Sequence, residues 1–259
     1  GELEATQFST TTKLKGQATF VIGANSFSGD AKQGGLDRVL GTNATTTNAK
    51  GDTVFRNGGL GTERADAAAA VSGATVFNYD LRLFLDTSFT GKDLLRTMLR
   101  AGNFGKSPYF GSGYVGLDAM ETAFEEPAGA DSISVNRLWY QFPVGSNFTA
   151  TVGARVRQDD MLAVWPSAYP ADTVLDFFTY AGAPATYNLS LGSGGGLWWS
   201  NDGFSISANY VSANGNVGDP NTGGIATDGA ASNGTVQVAY APDNWGIAAA
   251  YNYASQNGG

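Results

Sequence analysis

Apolar and polar residues alternate with period two along much of this chain. Leu81, Leu83 and Leu85 alternate with Arg82, Phe84 and Asp86; past Thr90-Gly91-Lys92, Leu95, Leu99 and Ala101 alternate with Arg96, Met98 and Arg100. That period marks a strand with two chemically different faces, and a Gly-containing turn between two such runs makes a hairpin. The pattern predicts nine strands, near residues 11–24, 75–89, 93–103, 131–142, 147–157, 190–200, 203–213, 233–241 and 244–254. The first sets Leu14, Ala18, Phe20 and Ile22 against Lys13, Lys15, Gln17 and Thr19. The fifth sets Phe148, Ala150, Val152, Ala154 and Val156 against Thr149, Thr151, Arg155 and Arg157.

A hairpin of this kind fits two solvents. A soluble sandwich buries its leucines, whereas a membrane barrel turns them to lipid and keeps its arginines in a wet lumen. The connections separate these readings. Short turns at Thr90-Gly91-Lys92, Pro143 to Asn147, Asn201-Asp202 and Pro242-Asp243 alternate strictly with long connections near 25–74, 104–130, 158–189 and 214–232. Adjacent antiparallel strands place successive connections at opposite ends, so all tight turns share one end, as in outer-membrane barrels. Phe89, Tyr140, Phe142, Phe148, Trp198, Trp199, Phe204, Tyr240 and Trp245 crowd the short-turn ends. Aromatic rings of this kind favour the lipid–water boundary. The expected fold is all-β: an antiparallel up-and-down transmembrane barrel with leucines outward and arginines inward. Nine strands leave two open edges, which hydrocarbon does not tolerate, so more strands are expected to complete the cylinder.

Composition narrows the chemistry. Charged residues make up only 15% of the chain, the net charge is −8, and there is no cysteine or histidine. A basic nucleic-acid footprint is missing, and thiol chemistry and a Ser-His-Asp triad are ruled out. No apolar run is long enough for a membrane-spanning helix. Gly192 to Gly196 lacks a following Lys-Ser or Lys-Thr and precedes a strand, so it is not a phosphate-binding loop. No cofactor or metal is expected, and the chain is not read as an enzyme.

The segments QFSTTTKLKGQATF (7–20), LFLDTSFTGKDLLRTMLRAGNF (83–104), NRLWYQFPVG (136–145) and DDMLAVWPSAYPADTVLDFFTYAGAPATYNL (159–189) resemble cyanobacterial outer-membrane porins, which are grouped with carbohydrate-selective porins. The resemblance implies about 16–18 strands in the whole protein, consistent with a water-filled porin. It further implies a homotrimer in the outer membrane of a Gram-negative, cyanobacterial cell, and passive diffusion of small solutes, with inorganic ions (iron included) and sugars as suggested cargo. An S-layer-homology domain gripping the cell wall and a coiled coil typically precede such barrels. Residues 1–10 are then the end of that linker, and 11–259 the N-terminal half of the barrel.

Selectivity is expected from the inward residues Lys13, Lys15, Arg82, Asp86, Arg96, Arg100, Arg137, Arg155 and Arg157. Folding the second and third strands around Gly91 sets Arg82 opposite Arg100 and Asp86 opposite Arg96. Folding the next hairpin around Gly145 sets Arg137 diagonal to Arg155. Four inward arginines at mid-height, Arg82, Arg100, Arg137 and Arg155, would form a basic belt, since charged rings commonly set pore selectivity. The connection at 158–189 is too apolar for an exposed loop, with Met161, Leu162, Trp165, Leu175 and Phe178. It is expected to fold inward as a constriction, with a short helix over Ala171 to Tyr180 capped by Asp172. Its acids Asp159, Asp160, Asp172 and Asp176 would face the arginine wall across a polarised eyelet. A dominant arginine belt would favour small anions.

Two other classes compete. Glu121, Glu125, Glu126, Asp159 and Asp160 include the paired carboxylates that glycoside hydrolysis needs, but carboxylates on loops are more often surface charge. A soluble β-sandwich lectin or adhesin would use loops such as Asn214 to Asp219 for Ca²⁺, although Asn and Asp there also suit plain turns.

Overall fold

In a computed structural model of the chain, the described residues are 11–25, 45–47, 53–55, 73–110, 119–172, 174 and 176–255. The expected linker at 1–10 and Leu175 lie outside them. The strands are β1 (Thr12–Gly23), β2 (Thr45–Thr47), β3 (Thr53–Phe55), β4 (Val76–Thr87), β5 (Leu94–Gly102), β6 (Ser134–Val144), β7 (Phe148–Arg157), β8 (Leu191–Asn201), β9 (Phe204–Ser212), β10 (Ser232–Tyr240) and β11 (Ile247–Ala254). All nine predicted strands are present. They form one antiparallel sheet in the order β1-β4-β5-β6-β7-β8-β9-β10-β11, while β2 and β3 pair separately.

Tight turns join β4 to β5, β6 to β7, β8 to β9 and β10 to β11, all at one end of the sheet. Three of them place a glycine in the left-handed region: Gly91 (φ 80°), Gly145 (φ 67°) and Gly203 (φ 81°). A side chain there would meet a steric penalty that glycine avoids.

The two faces of the sheet have opposite fates. Phe20, Ile22, Phe77, Val152, Ile206, Val238 and Ile247 are exposed on one face, and no described element packs over it. On the other face Asp80, Arg82, Arg100, Thr151, Ser207, Thr235 and Gln237 are buried. Soluble proteins bury the first kind and expose the second. The polar face is covered by the connection between β7 and β8, whose first 3₁₀ helix (Gln158–Met161) packs on β7, β8 and β9. A small apolar core, Trp139, Val156, Met161 and Val211 with Leu94 against it, lies on that covered face.

The β4–β5 register sets Arg82 against Arg100 and Asp86 against Arg96, as the turn at Gly91 predicts. β7 departs from expectation. Trp139 pairs with Gly153, but the next pair is Leu138 with Arg155, so β7 carries one extra residue there. This β-bulge re-aims the chain. Arg155 therefore shares a face with Leu138, not with Arg137. The expected helix over Ala171 to Tyr180 also differs: among the described residues of that segment, a 3₁₀ helix covers Asp176–Tyr180.

Candidate functional site

The strongest concentration of charge lies on the covered face, where β4, β5, β6 and β7 meet the long connections. Arg82 and Arg100 stand opposite each other on β4 and β5, an arrangement that repels unless a counter-charge intervenes. Asp80 supplies it. The Asp80 carboxylate accepts Nε of Arg82 at 2.8 Å and Nε and Nη2 of Arg100 at 2.8 and 3.1 Å. Arg100 also lies over the Phe124 ring at 4.1 Å and donates to the Glu121 carbonyl at 3.0 Å.

Acids from the connections complete the cluster. Arg82 Nη1 reaches Asp172 Oδ1 at 3.1 Å. Arg157, the last residue of β7, donates to Asp159 Oδ2 at 2.7 Å and Asp172 Oδ1 at 3.0 Å, and lies 3.4 Å from Glu121 Oε1. Arg137 Nε donates to Asp160 Oδ2 at 3.0 Å, and its Nη1 donates to the Asn136 side chain. The acids thus touch the wall directly; no gap separates them from the arginines, and the expected field across an eyelet becomes a set of contact ion pairs. Asp172, expected as a helix cap, has its carboxylate held by two guanidiniums.

Asp80 is buried with its two arginines, but in the pairs made with acids of the connections the cations are the deeper partners. Side chains of Arg82, Arg100, Arg137 and Arg157 are 2–7% exposed, whereas those of Asp159, Glu121, Asp160 and Asp172 are 13–44% exposed. Burial pushes the Glu121 and Asp160 carboxyls up despite the nearby arginines. For Asp172 burial acts upward too, but Arg157, Arg82 and Arg137 outweigh it and hold the carboxyl well below its ordinary range.

The remaining predicted residues fall around this cluster. Asp86 takes Arg96 through two bonds of 2.8 and 2.9 Å and Lys15 at 3.3 Å. Arg96 lies between the rings of Phe84 and Trp139, at 5.2 and 5.3 Å. Lys13 pairs across from Asp86 on edge strand β1 and is exposed. Trp165 donates to the Tyr169 carbonyl at 2.9 Å and meets the Tyr187 ring edge-on at 5.3 Å, beside a cavity of about 890 Å³ reaching Trp245. Asp176 sits beside Tyr180, whose hydroxyl is pushed up to about 12 by burial and by that carboxylate. Arg155 is apart from all of these, exposed on the apolar face.

Sequence reasoning missed the neutral half of the site. Gln158 donates to the Thr186 carbonyl at 2.7 Å and to Thr235, and its own carbonyl accepts Asn209 at 3.2 Å. Gln237 donates to the Val164 carbonyl at 2.8 Å and accepts Tyr187 OH at 2.6 Å. These bonds fasten the β7–β8 connection onto β9 and β10. The signal was present: Ser205, Ser207, Asn209, Thr235 and Gln237 occupy the alternate positions opposite Ile206, Val236 and Val238. Asp80, likewise missed, has the same strand parity as Arg82. The carboxylates weighed for hydrolysis are held by neighbours: Glu125 accepts Gly105 N at 2.7 Å and Glu126 accepts the Ser134 hydroxyl. Asp219 accepts Asn221 N at 3.0 Å, an Asx turn.

No protein-family model matches the chain. It is similar to Uncharacterized protein sll0772 of Synechocystis, with 29% identity over 223 residues, covering 85% of this chain and 33% of that protein. It is also similar to Uncharacterized protein alr4550 of Nostoc, with 27% identity over 242 residues, covering 86% of this chain and 34% of that protein. The chain thus spans about a third of the length of these relatives.

Proposed function

We propose that this chain forms part of the wall of an outer-membrane porin, a water-filled channel for passive diffusion of small hydrophilic solutes and inorganic ions. One observation carries the reading. Nine strands leave their apolar face open, while Asp80, Arg82, Arg100, Arg137 and Arg157 on the other face are buried beneath connections of the same chain. Water penalises such a face, and hydrocarbon does not. A lectin-like sandwich would need a second layer over Phe20, Phe77 and Val238, and no described element lies there. The unpaired edges of β1 and β11 would be closed by further strands, about 16–18 in all by resemblance, within a homotrimer.

In this reading the β7–β8 connection is the constriction. The four buried guanidiniums are each matched by carboxylates, and the cluster holds four arginines against five acids, Asp80, Glu121, Asp159, Asp160 and Asp172. Asp80 is buried with its two arginines, and the four acids from the connections, Glu121, Asp159, Asp160 and Asp172, are the members that meet solvent. The wall therefore favours small cations, in place of the anion preference that a bare arginine belt would give. Full-length protein should fractionate with outer membranes, require detergent, and conduct in planar bilayers with a reversal potential on the cation side of a KCl gradient. A protein soluble without detergent, or one that never conducts, would refute the porin reading.

A further inference from the structure

Among the described strands, the exposed apolar face carries a single charged side chain. Residues sharing that face are Leu, Val, Ile, Ala, Gly, Thr, Ser, Asn, Tyr, Phe and Trp on every strand, with Arg155 as the exception. Strict alternation would have turned Arg155 inward with Thr149 and Thr151. The bulge at Ala154 moves it across to lie opposite Leu138. It is exposed and makes no ion pair or hydrogen bond with any described residue. Bulges often re-aim a side chain for use, and an unpaired cation on an otherwise apolar face calls for a counter-charge from outside the sheet.

Its height tells which kind. Phe148, at the short-turn end of β7, lies seven residues below Arg155 on the same strand. The bulge takes up one of these residues, because the partners Val144 and Leu138 lie six apart; at about 3.3 Å per residue that is about 20 Å of strand, or about 15 Å along the membrane normal at a tilt of about 40°. With the aromatic ring at one boundary and an apolar band about 25 Å tall, Arg155 sits about 10 Å short of the opposite boundary. An extended arginine covers most of that gap, and local thinning of the bilayer brings headgroups to its guanidinium. We propose that Arg155 binds the anionic headgroup of a lipid in the leaflet on the long-loop side. The inference rests on the membrane reading above, and it concerns the outside of the wall, not the channel.

The test uses full-length protein in detergent, offered equal amounts of phosphatidylglycerol and phosphatidylcholine, with retained lipid counted by native mass spectrometry. Wild type should prefer phosphatidylglycerol by about fivefold, the equivalent of about 1 kcal/mol for one basic residue at an anionic surface. Arg155→Lys should keep most of that preference and Arg155→Gln should abolish it. An equal preference in wild type and Arg155→Gln overturns the proposal. So does a fall in oligomeric state of Arg155→Gln by light scattering, which would place Arg155 between protomers. A detergent-borne, conducting protein with no headgroup preference removes only this proposal; a protein that needs no detergent removes the porin reading with it.

Discussion

Asp80 stands one pleat from Arg82 and holds two guanidiniums that would otherwise face each other. Breaking a buried pair strands an uncompensated charge, so Asp80→Asn should cost about 3–5 kcal/mol, measured as earlier unfolding in urea or on heating. Asp172 acts differently, because it is nearly half exposed and lies over Arg82 and Arg157. Asp172→Asn should leave the fold intact and move the reversal potential toward anions. Acid should do the same in stages. Burial raises Glu121 and Asp160, so they take up protons first as pH falls, whereas Asp172, held low by arginines, keeps its charge longest. A raised carboxyl destabilises its charged form and loses that penalty on protonation; a lowered one contributes stability that disappears only when pH falls through its lowered value. Reversal potential against pH should therefore slope toward anions in wild type, and more weakly over the lowest range in Asp172→Asn.

Among the elements, the β7–β8 connection and the strand beneath it fit together through missing side chains. A Cβ at Gly196 would lie 2.8 Å from the Met161 Cβ and 3.0 Å from that of Asn209. Gly196 thus leaves the wall bare where the first 3₁₀ helix sits close to it. Gly196→Val should lift Met161 and its neighbours from the wall, raising single-channel conductance and weakening selectivity together. The first tight turn is fixed by Asp93, whose carboxylate accepts Tyr140 OH at 2.6 Å, Thr90 N at 2.8 Å, Thr90 Oγ1 at 2.7 Å and Ser88 Oγ at 2.9 Å. The Tyr140 hydroxyl, above all, holds that carboxyl well below its ordinary range, so the turn persists in mild acid and opens only when pH falls through the lowered value. Asp93→Ala should expose residues 90–92 to protease at neutral pH. Strand positions and tight turns were legible because alternation and glycine are local signals. The helix expected over Ala171 to Tyr180 was not, because the competing partner of Asp172 comes from β4 and β7, far away in sequence.

For the whole molecule, the decisive quantity is the solvent of each face. Val236 is exposed on β10 beside the buried Thr235 and Gln237. In a bilayer, Val236→Arg should cost about 2–4 kcal/mol near mid-depth and lower the yield of inserted, heat-modifiable protein, whereas in a water-soluble sheet it would be nearly neutral. Equal insertion of both forms into vesicles would argue against a lipid-facing surface.

The sequence by itself determined nine two-faced strands, their up-and-down order, the shared end of the tight turns and the β4–β5 register, because each follows from period two and local turn chemistry. Only the tertiary structure decided which acid meets which arginine, that the cations lie beneath the carboxylates of the connections, and that Arg155 belongs to the apolar face. A bulge adds one residue without altering composition, and ion pairs join segments far apart in the chain, so neither leaves a periodic trace.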